Sequence, residues 1–362
     1  MKILDQRRIH IGTAGTKTGN ACFGGIAQMP DGTLLVTWRV GSSKTSLDGQ
    51  TLIAESRDDG KTWSAPRPLL TPPVLDGKPG EIKYTPLTVL GPDHLLLNST
   101  WLDASDPKRP FVDPVTQHHV PTRVFLAESR DRGRTWGDWR EFEPSPYDKL
   151  PLVCGPMKVM HDGRWSCWFE VDHGEEWHHA VVKFSKDRGK TWGPAIDVAH
   201  DPANRYLHWD QRIAVGKAGH VVAMFWTHDT QAKADVNIRI AESRDGGLTW
   251  SKPRDTGLSG QVAHPVILRD GRLVTIYVDR YKTRTLRAAI SNDEGKTFEP
   301  NTLMIYDHGK VGDVKTEQGV MDSCFYTFGR PDALQSPDGT VHLVYYAGDD
   351  KVTGMHWARI EI

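Results

Sequence analysis

Apolar residues in this chain fall in short consecutive runs: TLLVTW (33–38), VVAMFW (221–226), RLVTIYV (272–278) and TVHLVYY (340–346). None shows the i, i+3, i+4 spacing of an amphipathic helix, and none approaches the length of a membrane span. Runs this short, apolar at successive positions and rich in β-branched and aromatic residues, predict strands buried on both faces. Turn signals punctuate them. Asp31-Gly32, Pro92-Asp93, Asp162-Gly163, Ala218-Gly219, Asp270-Gly271 and Asp338-Gly339 recur about every 61 residues. Each is read as the hairpin joining strand A to strand B of a four-stranded unit.

A second mark follows each of the first five. SRDDGKTW (56–63), SRDRGRTW (129–136), SKDRGKTW (185–192), SRDGGLTW (243–250) and SNDEGKTF (291–298) share the frame Ser-x-Asp-x-Gly-x-Thr-aromatic. In such a frame Asp accepts backbone N–H bonds across a tight turn, Gly tolerates positive φ and the aromatic covers the hairpin. The frame is therefore expected to join strands C and D. Six units fill residues 1–362 as one domain, but the sixth ends after its third strand. Lys2–Ile11 precedes unit one and is expected to supply the missing strand, removing an open edge. The predicted fold is an all-β, six-bladed β-propeller with four antiparallel strands per blade, the last blade closed by the N-terminal strand.

Composition narrows the function. Lys+Arg number 45 against Asp+Glu 46, a formal net charge of −1, which argues against a nucleic-acid partner held by phosphate contacts. No membrane partner is expected, and the oligomeric state is open. MKILDQRRIHIG lacks an apolar run of signal-peptide length, implying a cytoplasmic chain, or a secreted or periplasmic one already processed. Cys22, Cys154, Cys167 and Cys324 form no C-x-x-C pair and are expected as free thiols.

The five frames resemble the Asp-box (BNR) repeats of the sialidase, or neuraminidase, superfamily, and the resemblance covers essentially the whole chain. It implies a carbohydrate partner and a pocket on the face opposite the Asp-boxes, built from B–C loops and strand-A entries. On that face the sequence is irregular. A long insertion, WLDASDPKRPFVDPVTQHHVPT (101–122), carries His118 and His119. Glu81, Lys83 and Tyr84 belong to unit two, and Glu170, Asp172, His173, Glu175, Glu176, His178 and His179 to unit three. His208 to Arg212 and His228 belong to unit four, and His264, Asp279, Arg280, Tyr281 and Arg284 to unit five. Tyr326, Arg330, Asp332, Tyr346, Asp349 and Asp350 belong to unit six.

Sialidases clamp a carboxylate with three arginines and use a Tyr–Glu nucleophile and an Asp acid/base. By that resemblance Asp48 is the proton donor and Asp210 the second acid. The position of the first arginine holds Cys22, with Arg39 on the neighbouring strand as a substitute guanidinium or, alternatively, a structural brace. Arg280, Arg284 and Arg330 are candidate anion contacts. The tyrosine position holds Arg330, with Tyr326 four residues earlier and Tyr346 at the end of strand B. No tyrosine matches the motif itself, the nucleophile stays open, and Tyr346 is a candidate catalytic residue. Trp209, Tyr84 and Tyr346 are candidate sugar contacts, and His208 a candidate base. The function expected is an exo-acting glycoside hydrolase on a terminal, acidic sugar. A uronate lyase, with its carboxylate neutralised by Arg and its proton taken by His or Tyr, is the alternative, as is a non-catalytic glycan-binding propeller. No cofactor and no metal are assigned, although His178, His179 and Glu175 form a ligand-rich stretch.

Overall fold

Tight hairpins between continuous apolar strands set the architecture. Leu34–Gly41 and Val221–Asp229 are buried at every position, so each is covered on both faces. The hairpin before Leu34–Gly41 is closed by Met29 N–H to Thr33 O at 2.8 Å and Gly32 N–H to Met29 O at 2.9 Å. Gly32 sits at φ 90°, a left-handed conformation that a side chain would strain. The same pattern closes the hairpins at Gly163, Gly271 and Gly339.

The computed structural model describes residues 1–113, 119–147, 150–172, 178–310 and 327–362; the side chains of Asp172 and Lys310 are outside that description. Apart from a single 3-10 turn at His308–Lys310, no helix occurs among the described residues. The fold is all-β, as the sequence predicted. Residues group into two compact units: Met1–Phe142 with 327–362, and Glu143–Lys310.

In the first unit, Phe328–Gln335, Val341–Gly348, Thr353–Glu361 and Lys2–Ile11 form one four-stranded leaf. The N-terminal strand runs antiparallel to Thr353–Glu361, from Lys2 opposite Glu361 to Ile11 opposite Gly354, closing this leaf as expected. A second leaf, Asn20–Gln28, Leu34–Gly41, Gln50–Ser56 and Arg67–Pro68, joins it through the parallel pair Asn20 and Thr353. A third is built on Leu95–Asp103, Thr122–Ser129 and Gly137–Glu141, its first strand broken into Gly80–Ile82 and Leu87–Val89. Leu35 and Ile53 pack against Leu87, Leu95 and Leu97 between the second and third leaves.

The second unit repeats the plan. Its sheets are centred on Trp165–Asp172 and His178–Ser185, on Tyr206–Val215 and Val221–Asp229, and on Leu273–Asp279 and Thr285–Ser291. Trp168, Val182 and Phe184 pack against Ile213, Ala223 and Phe225.

All five Asp-boxes form one hydrogen-bonded device. In the first, Ser56 Oγ donates to Asp58 Oδ1 at 2.9 Å and accepts from Gly60 N–H at 2.9 Å. Asp58 also accepts from Thr62 N–H at 2.9 Å and Thr62 Oγ1 at 2.6 Å. Asp131, Asp187, Asp245 and Asp293 repeat these bonds with Thr135, Thr191, Thr249 and Thr297. The Thr donors hold the Asp58 and Asp131 carboxyls down to about 2. These acids are turn elements.

Candidate functional site

Three first strands carry the same irregularity. Pairing register shifts between Cys22 and Gly25, between Trp209 and Arg212, and between Gly329 and Asp332. At each bulge a non-glycine residue takes a left-handed φ: Phe23 at 53°, Asp210 at 49° and Arg330 at 44°. A bulge re-aims a side chain at a local cost, and such strained positions concentrate at functional sites.

In the first unit these residues converge. The Arg330 guanidinium carbon lies 4.0 Å from the Tyr84 ring centroid and 5.3 Å from that of Phe23. The ammonium of Lys44 lies 5.8 Å from the Phe23 centroid, and that of Lys83 lies 5.7 Å from it. Three cations thus share one ring. Lys44 Nζ also donates to Tyr346 Oη at 3.1 Å, and Lys83 Nζ meets His119 Nε2 at 3.2 Å. His119 stacks on Phe111, whose ring lies 5.3 Å from Lys83 Nζ. Phe23, Tyr84, Phe111 and Tyr346 are all buried, so the cations stand on an apolar floor that strengthens charge interactions.

The loop 42–49 that bears Lys44 and Asp48 is fixed from beneath. Arg39 has no exposed surface; its Nε pairs with Glu81 and its Nη atoms donate to the carbonyls of Ser43 and Ser46. Glu81 in turn accepts from Gly49 N–H at 2.9 Å. A Cβ on Gly49 would meet Glu81 Oε1 at 2.4 Å and Arg39 Cζ at 2.6 Å, so glycine is required at this close approach. Between the two sequence readings of Arg39, the geometry is that of a brace. The insertion is tied to the same loop by Phe111 N–H to Thr45 O at 2.8 Å.

Asp48 accepts from Ser42 N–H at 3.1 Å. Partial burial pushes its carboxyl up, but hydrogen bonds from Ser46 and Ser42, with the Arg39 charge, outweigh burial and hold it below the ordinary value. Asp332 accepts from Ile26 N–H at 2.9 Å, linking two first strands.

The second unit arranges its candidates differently. Asp210 Oδ1 pairs with Arg212 Nη2 at 3.0 Å, and Asp210 N–H donates to Glu170 Oε2 at 2.7 Å. Trp209 is buried in an aromatic cluster, stacked on His228 at 5.2 Å and edge-on to Trp226 at 5.4 Å. His208 is buried against Phe225 beside Thr227 Oγ1, and burial pushes its ring down to about 3. His178 bonds the His208 carbonyl through Nε2 at 2.7 Å and is held at about 4, again by burial. His179 and Tyr147 share Asp197 Oδ1, at 2.8 and 3.0 Å.

Arg280 is buried with its guanidinium carbon 5.8 Å from the Trp226 centroid, and Arg284 takes φ 54° in the turn after Asp279. The Asp279 carboxylate accepts from Lys282 and Thr283 N–H, a turn role. Among the described residues no group of three or more His, Cys, Asp or Glu is placed to hold a metal. Cys22, Cys154 and Cys167 are buried and join no disulfide among the described residues. No helix among the described residues is long and apolar enough to cross a membrane. His118, His173, Glu175, Glu176, Cys324 and Tyr326 lie outside the described residues, as does the side chain of Asp172.

Of the residues at this cluster, the sequence had singled out Arg330, Tyr84, Tyr346 and Lys83 and had not singled out Lys44, Phe23 or Phe111. The signal for Lys44 was its place four residues before Asp48 in SSKTSLDG. Phe23 and Phe111 carried no signal beyond their positions in a bulged strand and a long insertion.

Residues 111–343, well over half the chain, match the family model described as a BNR repeat-like domain. The chain belongs to that family. Solved structures place this BNR repeat-like protein among sialidase folds. A protein of unknown function from Dyadobacter fermentans is 19% identical, with 99% of this chain and 100% of that chain covered and a TM-score of 0.74. The intramolecular trans-sialidase of Ruminococcus gnavus is 13% identical, covering 98% and 97%, with a TM-score of 0.66. The NanB sialidase of Streptococcus pneumoniae is 13% identical, covering 98% of this chain and 70% of that one, at 0.65. A comparison with curated protein sequences finds no match. At these identities the likeness concerns the fold, and chemistry has to be argued from side chains.

Proposed function

We propose that this protein is a sialidase-like, exo-acting glycoside hydrolase for a terminal acidic sugar, whose anionic group binds at the cluster around Phe23. The observation that carries the reading is the meeting of Lys44, Lys83 and Arg330 at one aromatic ring. They come from a loop, a strand interruption and a bulge. Positive charge gathered from three chain elements attracts an anionic ligand. Tyr84 and Tyr346 place aromatic rings and a hydroxyl beside these cations.

In this reading Tyr346, its oxygen bonded to Lys44, attacks or stabilises the anomeric centre, and Asp48 serves the leaving oxygen. Asp48 is held ionised in the free protein. A sugar covering loop 42–49 strips water from that carboxyl and pushes it upward, toward the protonated form a general acid requires. Arg39 and Glu81 are positioning residues that keep Lys44 and Asp48 in register.

A second reading, elimination on a uronate, is favoured by that same low Asp48 carboxyl and by His119 beside Lys83. There the cations neutralise the carboxylate, a base removes the proton next to it, and the glycosidic oxygen leaves with a proton. One assay separates the readings. The full chain is incubated with sialosides, glucuronides, galacturonides and their neutral parents, following both reducing ends and ultraviolet absorbance of unsaturated product. Hydrolysis predicts reducing ends without that absorbance, and a preference for acidic over neutral sugars. Equal rates on neutral parents would overturn the acidic-sugar reading.

A further inference from the structure

We infer that the anion taken at the Phe23 cluster is a tetrahedral oxyanion, a sulfate or phosphate ester carried by the sugar, rather than a planar carboxylate. This rests on the anion subsite proposed above and specifies its ligand. Carboxylate recognition is best served by guanidinium forks, which match two oxygens in one plane. The cluster offers a different donor set, two ammonium groups and one guanidinium around the Phe23 ring. Ammonium groups are compact point charges with three rotatable donors and impose no plane.

The guanidinium beside the cluster that would supply a second fork is Arg39, and its Nε and Nη atoms go to Glu81, Ser43 and Ser46. Arg330 has its guanidinium carbon 4.0 Å from the Tyr84 ring centroid, a contact that limits how its fork can turn. Donors arriving from three separate chain elements suit three oxygens, and a carboxylate presents two. A sulfate or phosphate ester presents three terminal oxygens on a tetrahedron. The ring of Phe23, held by its bulge, is a buried apolar base, beside which each cation counts for more than in bulk solvent.

The test is calorimetric titration of the full chain at fixed ionic strength with methyl sulfate, methyl phosphate and acetate. Methyl sulfate and acetate carry the same charge and differ in shape. The inference predicts that one of the two esters binds at least about tenfold more tightly than acetate. The stronger of the two identifies the ester. Lys44→Met and Lys83→Met should each weaken that binding about fivefold or more, and Lys83→Arg should largely retain it. Far-ultraviolet dichroism and melting of each variant confirm folding. Acetate binding as tightly as either ester would overturn the inference while leaving the acidic-sugar reading in place. Binding of none of the three would overturn both. Ester binding unaffected in both Met variants would place the anion elsewhere and equally end the proposal.

Discussion

Two buried arginines, one in each unit, show how one scaffold makes different chemistry. Arg39, without exposed surface, pairs with Glu81 and ties down a loop by its carbonyls. Arg212, also buried, pairs at 3.0 Å with Asp210, the residue at the bulge of its own strand. In the first unit the buried arginine meets a buried acid, and the bulges at Phe23 and Arg330 lie where three cations gather at the Phe23 ring. In the second, the bulge presents an acid that its neighbouring arginine answers. Candidate residues of both units sit at comparable bulges, yet in the first three cations gather at one aromatic ring and in the second an acid pairs with the arginine two residues on. A repeated fold therefore supplies positions, and the partners of each position decide what it does.

The largest effect is expected at Arg39. Arg39→Met leaves Glu81 buried without its cation and should cost about 3–5 kcal/mol, read from urea unfolding. Adding Glu81→Gln should return part of that loss, because the double variant no longer buries a lone charge. A single-variant loss below about 1 kcal/mol would show that the pair is not the brace described. Arg212→Met should cost less, about 1–3 kcal/mol, because the carboxyl of Asp210 keeps some access to solvent. If it costs more than Arg39→Met, the contrast between the units is reversed.

Smaller effects are expected at the cation cluster. Lys44→Met combined with Lys83→Met should weaken binding of an acidic sugar by about tenfold or more, roughly 1.4 kcal/mol, while Arg280→Met should change it by less than about threefold. Equal losses would deny the first unit its special role. The smallest effect is one of pH. His208 falls from 6.5 to about 3 on folding, so the unfolded chain takes up its proton first. Stability should therefore decline as pH drops from 6.5 toward 3 and flatten below. His208→Gln should remove part of that slope. It should leave untouched the loss due to Asp58 and Asp131, whose carboxyls move from 3.8 to about 2 and whose contribution disappears as pH falls through that value. Melting temperature against pH measures both.

The sequence carried the architecture because its signals are local. Ser56, Asp58, Gly60 and Thr62 make their turn within seven residues, and the missing last strand was implied by counting runs against turns. The site was legible only in part. Arg330 and Tyr84 stood out as polar or aromatic residues at strand entries, but their meeting at 4.0 Å is a product of two separate sheets. Phe23 reads as an ordinary core residue until the bulge turns it, and Lys44 as an ordinary loop lysine until Tyr346 is found beside it. Trp209 suggested a sugar platform by type, whereas His228 and Trp226 pack around its ring. Those outcomes depend on long-range partners, which spacing along the chain does not encode.

An anion seated at the Phe23 cluster can be sought directly. Crystals of the full chain grown or soaked with selenate, whose selenium scatters anomalously, locate bound tetrahedral anions without knowledge of the substrate. An anomalous peak within hydrogen-bonding distance of Lys44 Nζ, Lys83 Nζ or the Arg330 guanidinium is the predicted result. Selenate bound elsewhere, with that place holding none, would contradict it.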